Sequence, residues 1–106
     1  MNRDIEAPYY AVIFSSQRTD AEGAKYMEAA KKMIALAASQ EGFLGIENSE
    51  DENGFGIMVS YWDSLDAIRN WRKHSDHFDV RRKGRESWYD HFTVRICKVE
   101  QMYDFK

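Results

Sequence analysis

The chain has one cysteine, Cys97, and one proline, Pro8. A lone cysteine forms no internal disulfide, and no Cys or Cys/His pair stands at zinc spacing, so neither a disulfide-stapled scaffold nor a zinc module is expected. Cys97 reads as a small buried hydrophobe in a strand. No apolar run approaches the roughly 20 residues a spanning helix needs. The first residues carry Arg3, Asp4 and Glu6 where a secretory leader needs an apolar stretch, so the expectation is a cytoplasmic protein without membrane contact. Neither sign of charge dominates: charged residues make up 31% of the chain and the net charge is −3, which argues against a nucleic-acid partner. The glycines form neither a P-loop nor a G-x-G-x-x-G fingerprint, and the nucleophile-elbow pattern G-x-S-x-G does not occur.

What is present is a chain of 106 residues, 43% of them apolar and 14% aromatic, enough for one compact core. Residues 1–8 read as an N-terminal arm and 9–106 as a single domain. Tyr9 to Gln17 is β-branched and aromatic and reads as a first strand. Thr19 and Glu22 have capping-box spacing and open a helix, with Tyr26, Ala30, Met33 and Ala37 on one face, Met27 and Ile34 beside them, and Gly42 as a C-terminal cap. Phe43 to Asn48 and Phe55 to Trp62 read as a hairpin about Asn53-Gly54. Asp63 or Ser64 caps a second helix bearing Leu65, Ile68 and Trp71, which continues or restarts from Asp76 to Tyr89 with a break at Gly84. His91 to Met102 is the fourth strand.

The order β-α-β-β-α-β specifies an α+β, ferredoxin-like split βαβ fold: a four-stranded antiparallel sheet with both helices on one face. A sheet with one wet face alternates apolar with polar, yet Tyr9 to Phe14 and Ile57 to Tyr61 are apolar in both phases. No spare element remains to cover the second face, so the expected cover is the same face of another copy, a homodimer through the sheet.

Chemistry-bearing side chains concentrate around Trp71, His74, Asp76, His77, Phe78 and Arg81, followed by Trp88 and Tyr89. On a helix these three- and four-residue spacings bring Trp71, His74, His77 and Arg81 to one edge. The indole offers a stacking face and the His or Arg a hydrogen bond or counter-charge, which suits a small flat aromatic ligand. Each residue also has a plain structural role: Trp71 and Trp88 as core, His74, His77 and His91 as surface. The basic run Arg81, Arg82, Lys83 and Arg85 reads as a solvated helix end. His74 and His77 with Asp76 or Asp79 lack a distant ligand, so no metal site is expected.

These residues resemble the antibiotic biosynthesis monooxygenase family of dimeric α+β barrels. The resemblance is carried by Glu41 to Glu47 entering the second strand, Ile57 to Trp62, Asp63 to Trp71, His77 and the Trp88-Tyr89 pair, and covers roughly residues 9 to 102. It implies the same fold and either cofactor-independent oxygenation of phenolic compounds or heme degradation. Trp71 matches the tryptophan that lines the ligand cleft in both branches. The axial-histidine position of the heme-degrading branch is Arg81 here, and its first-strand asparagine falls near Val12. In the polyketide-oxidising branch the asparagine before the tryptophan is Ala67 here, and the tyrosine after it is His77.

The reading that results is a monooxygenase acting on a small aromatic or quinol-like compound with no metal or other cofactor. His77, ahead of His74, is the candidate base, because an imidazole titrates near neutral pH. Trp71, Arg81, Phe14 and Trp88 are the candidate substrate contacts. The alternatives are a non-catalytic small-molecule-binding dimer and a heme-binding or heme-degrading protein.

Overall fold

The computed structural model describes residues 5–76 and 87–105. Six elements follow in the order β1 (Tyr9–Arg18), α1 (Gly23–Ala38), β2 (Phe43–Glu50), β3 (Phe55–Trp62), α2 (Leu65–Asp76) and β4 (Tyr89–Val99). The strands form one antiparallel sheet in the order β2-β3-β1-β4, with β1 and β3 central. This is the ferredoxin-like split βαβ arrangement expected from the element order.

Alternation along β1 decides what each face does. Tyr10 and Val12 pack with Phe43 and Trp71 around a buried cluster of Ala37 from α1, Trp62 from β3, and Ala67 and Ile68 from α2. Both helices therefore cover the even-numbered face of β1. Trp62 is fully buried; its indole N–H donates to Ser60 Oγ at 2.9 Å, which satisfies the one polar atom it brings inside.

Two irregularities adjust this alternation. Leu44 is the extra residue where Phe43 pairs with Trp62 and Gly45 with Tyr61. Asp90 is the extra residue where Gln17 pairs with His91 and Arg18 with Tyr89. Each reverses parity, so Phe43 reaches the core and Tyr89 shares the helix side with Arg18.

Several local expectations are corrected. The capping box at Thr19 and Glu22 does not form, and α1 starts at Gly23. The Thr19 amide donates instead to Trp88 O at 2.9 Å, its hydroxyl donates to Ser87 O at 2.6 Å, and the Ala21 amide donates to Thr19 Oγ1 at 3.2 Å. Glu22, with φ of 52°, sends its carboxylate to the Trp88 indole rather than back to the cap. Tertiary partners outcompete the local motif. Gly42 does not cap α1, which ends at Ala38; its φ of +87° turns the chain into β2 against the start of α2. A Cβ there would lie 2.6 Å from Ala67 Cβ, so the position admits no side chain. Ser64, one of the two cap candidates, accepts the Ala67 amide at 3.0 Å. Tyr89 belongs to β4 and not to a helix, whereas residues 77–86, with Gly84 and the basic run, lie outside the described residues.

The odd-numbered face is covered in part by the chain itself, which the sequence reading did not foresee. Tyr9 is 4% exposed; its ring meets Tyr61 edge-on and its hydroxyl donates to the Met102 sulfur at 3.1 Å. Further along, Ile13 and Val59 are half-buried, while Phe55 and Ile57 are each 43% exposed. Cys97 lies on β4 opposite Ala11 and is exposed, against the expectation of burial, because it falls on this face of an edge strand.

The core accounts for one stability prediction. Ile68 is 2% exposed between Trp62 and Ala37, so Ile68→Ala should lower the unfolding free energy by about 2–5 kcal/mol in urea titration. A loss under about 1 kcal/mol would mean that α2 is not seated as described.

Candidate functional site

α1 lies over the even face of the sheet, and between them is a cleft of about 420 Å³. Its floor is Val12, Phe14 and Ser16 of β1, Met58 and Ser60 of β3, Ile46 and Asn48 of β2, and Phe92 and Val94 of β4. Its roof is the α1 face carrying Tyr26, Met27, Ala30, Met33, Ile34 and Ala37, the face that the helical period singles out. Such a volume, largely apolar with few polar groups, suits a small ring-containing molecule. The three methionines make the lining adaptable in shape.

The two ends of the cleft differ. At one end Trp71 is half-buried and stacks on Trp62, with centroids 6.0 Å apart and planes at 23°. Trp62 belongs to the core and Trp71 lines the cleft. At the other end the rings of Phe14, Tyr89 and Phe92 pack together, and Tyr26 meets both Tyr89 and Trp88 edge-on. The Tyr89 hydroxyl donates to Tyr26 Oη at 3.2 Å. Burial first, and that hydrogen bond second, push the Tyr89 phenol well above the ordinary tyrosine range, while nearby Arg18 pulls the other way. Tyr89 therefore stays protonated throughout the physiological range. Arg18 closes this end, its guanidinium 3.7 Å above the Tyr26 ring and 3.7 Å from Glu50.

Of the residues singled out from sequence, Trp71, Phe14 and Trp88 line one cleft. Trp88 is 5% exposed and its N–H is already donated to Glu22 Oε2 at 3.0 Å, so it can act as a wall and not as a hydrogen-bond donor to a ligand. His74 sits on α2 three residues beyond Trp71, exposed and outside the lining of the cleft. His77 and Arg81 lie outside the described residues. Among the described residues no three metal-ligating side chains gather, and no helix is long and apolar enough to cross a membrane.

Sequence reading missed Arg18 and understated Tyr26 and Tyr89. An arginine at the end of a strand looks like a solvated terminus. The available signal was the parity of β1, which puts Arg18 in line with Val12, Phe14 and Ser16. Tyr89 gave no such signal, because the bulge at Asp90 reverses its side.

The sequence model of the antibiotic biosynthesis monooxygenase family matches residues 8–83. The chain is 46% identical over 106 residues to YqjZ of Bacillus subtilis, spanning 100% of this chain and 92% of that protein. It is 27% identical over 94 residues to a jasmonate monooxygenase of Pyricularia oryzae, covering 85% of this chain but 43% of that longer protein. Among solved structures, SnoaB, a cofactor-independent oxygenase from Streptomyces nogalater, superposes with a TM-score of 0.75 at 13% identity over 91% of this chain and 97% of its own. Rv0793 from Mycobacterium tuberculosis gives 0.76 at 14% identity over 91% and 99%. At such identities these two structures speak for the fold alone.

The Glu22–Trp88 link ties the start of β4 to the start of α1 and so sets the width of the cleft at that end. Glu22→Ala, which leaves the buried indole N–H without its acceptor, should cost about 1–3 kcal/mol of stability. Glu22→Gln, which keeps an acceptor oxygen, should cost less than half as much. Equal losses in chemical denaturation would show that the hydrogen bond is not what Glu22 contributes.

Proposed function

The chain belongs to the antibiotic biosynthesis monooxygenase family, and from that premise we propose that it is a monooxygenase whose cleft takes a small aromatic or quinol-like substrate and oxidises it without a metal or flavin. The observation that supports this most is the 420 Å³ cleft with the stacked Trp62–Trp71 pair at one end, a space shaped for a flat ring. Phe14 and Trp88 are its proposed side walls.

In the proposed reaction a base removes a phenolic proton and leaves an electron-rich anion. That anion passes one electron to dioxygen, and the resulting radical pair combines at a ring carbon to form a C–O bond. The proton returns to the peroxide oxygen; the base then takes the hydrogen from that ring carbon, the C–H electron pair becomes the second C–O bond as the O–O bond breaks, and the departing hydroxide takes the proton and leaves as water, so that a carbonyl remains. One oxygen atom ends in the product and one in water; the four electrons that dioxygen takes up all come from the substrate. His77 is the proposed base, ahead of His74, whose exposed place on α2 is outside the cleft wall. Arg81 is the proposed counter-charge.

The odd face of the sheet supports a second part of the proposal, a homodimer. Ile13, Phe55, Ile57 and Val59 form an apolar strip that no element of this chain covers among the described residues. A second copy of the same face, related by a two-fold axis, matches it residue for residue, as in the family's dimeric barrels. Ile57→Asp should convert a dimer to a monomer in sedimentation at micromolar concentration, while Val94→Asp on the opposite face should not. A monomeric unsubstituted protein would sink this part.

The activity is tested by thermal-shift screening of phenols, quinols, flavins and heme, followed by oxygen-electrode assays. The expected hit is a phenol or quinol that consumes one dioxygen per molecule oxidised, with kcat/KM about tenfold lower in Trp71→Ala. His77→Ala should lower kcat by about a hundredfold or more and His74→Ala by less than twofold. Binding without oxygen uptake would make the chain a carrier or sensor. A Soret band with added heme, lost in the His74→Ala and His77→Ala variants, would favour the heme reading.

A further inference from the structure

The cleft end opposite Trp71 holds a cation whose hydrogen-bonding capacity is unspent. Arg18 is 15% exposed in its side chain, its face is occupied by the Tyr26 ring, and its Nη1 lies 3.7 Å from Glu50 Oε1, beyond hydrogen-bond length. Its Nε is shut off from solvent and has no hydrogen-bond partner among the described residues. An atom closed to water is closed to a ligand oxygen as well, so an arriving acceptor meets the Nη groups of this cleft-lining guanidinium, whose contact with Glu50 is too long to be a hydrogen bond. A guanidinium stacked on a ring presents its donors edge-on, the geometry that receives a carboxylate.

The surroundings agree. Among the described residues that line the cleft, Arg18, Lys31 and Arg72 are basic and Glu50 is acidic, in a chain whose net charge is −3. Lys31 and Arg72 are exposed and therefore screened by solvent, which leaves Arg18 as the buried member of the set. Glu22, just before α1, is engaged with the Trp88 indole and Lys25. The Tyr26 hydroxyl, having accepted from Tyr89, keeps its own proton to give, and Ser16 lies on the floor of the same cleft.

From this we infer that the cleft selects an organic anion: a flat apolar body toward Trp71 and the methionines, with a carboxylate or equivalent oxyanion received by Arg18, assisted by Tyr26. The inference rests on the cleft being the ligand site, as proposed above, and adds the charge of the ligand and the residue that reads it. Glu50 competes with the ligand for Arg18 and holds the guanidinium in place until the ligand's acceptor replaces the long contact.

The test uses an acid and its neutral isostere, 1-naphthylacetate and 1-naphthylacetamide, titrated calorimetrically into the full chain at low salt. The acid should bind about tenfold more tightly or better. Arg18→Met should bring the two within about twofold of each other, through loss of acid binding and not of amide binding. Glu50→Gln, which frees the guanidinium, should strengthen the acid about two- to threefold and move the amide by less than twofold; it carries the test if Arg18→Met loses its cooperative melting transition. Equal affinities in the unsubstituted protein, an acid preference that survives Arg18→Met, or no binding of either compound would overturn the inference. Acid preference without oxygen uptake by any phenol removes the monooxygenase proposal and leaves this inference standing. Oxygen uptake with neutral phenols and no acid preference does the reverse.

Discussion

The pleat of β1 is the constraint on which the rest depends. Because successive side chains of a strand point to opposite faces, one run of ten residues carries four separate jobs. Tyr10 and Val12 join the core, Phe14 and Ser16 floor the cleft, and Arg18 closes it, all on the even side. Tyr9, Ala11 and Ile13 meanwhile build the opposite face. A one-residue slip of β1 would exchange the two sets and put the cation on the wrong face, so register and function are the same requirement. Pairing on both sides, to β3 and β4, is what holds that register.

Where strict alternation would misplace a side chain, the chain inserts a residue. Leu44 lets Phe43 meet Trp62 edge-on in the core, and Asp90 lets Tyr89 meet Phe14, Phe92 and Tyr26 in the cleft. Both insertions sit near strand ends, where the interruption of the ladder disturbs least. Tyr89 and Phe92 thus share a side although they are three residues apart, an arrangement unavailable to a regular strand.

This is also why the fold was more legible than the site. Strand and helix order follows from local periodicity, and Phe55 to Trp62 was bounded correctly by its β-branched and aromatic run between a turn and a helix cap. Trp71 and Phe14 were legible as candidate walls for the same reason, since periodicity orients them. The start of α1 was not, because Thr19 and Glu22 have partners more than sixty residues away that a capping motif cannot register. Arg18 was invisible for a different reason: composition counts charges and does not locate them. The partial cover of the odd face by Met102 needed the two ends of the chain to meet, which no local pattern encodes.

The two faces of the sheet are not independent. Met58 floors the cleft while its neighbours Val59 and Ile57, the latter also bordering the cleft, stand on the face proposed for the second copy, and Ile13 lies between Val12 and Phe14 in the same way. A sheet exposed on one side can twist and flex, and any change in twist moves the cleft floor against the α1 roof. In the proposed dimer, packing the odd face would stiffen β1 and β3, which carry Phe14, Ser16, Arg18 and Met58. Pre-organising these groups lowers the ordering cost of holding a ring and its charge at once. The dimer would then serve the cleft without contributing a side chain to it, and a monomeric variant would keep the shape of the site while binding its ligand more weakly.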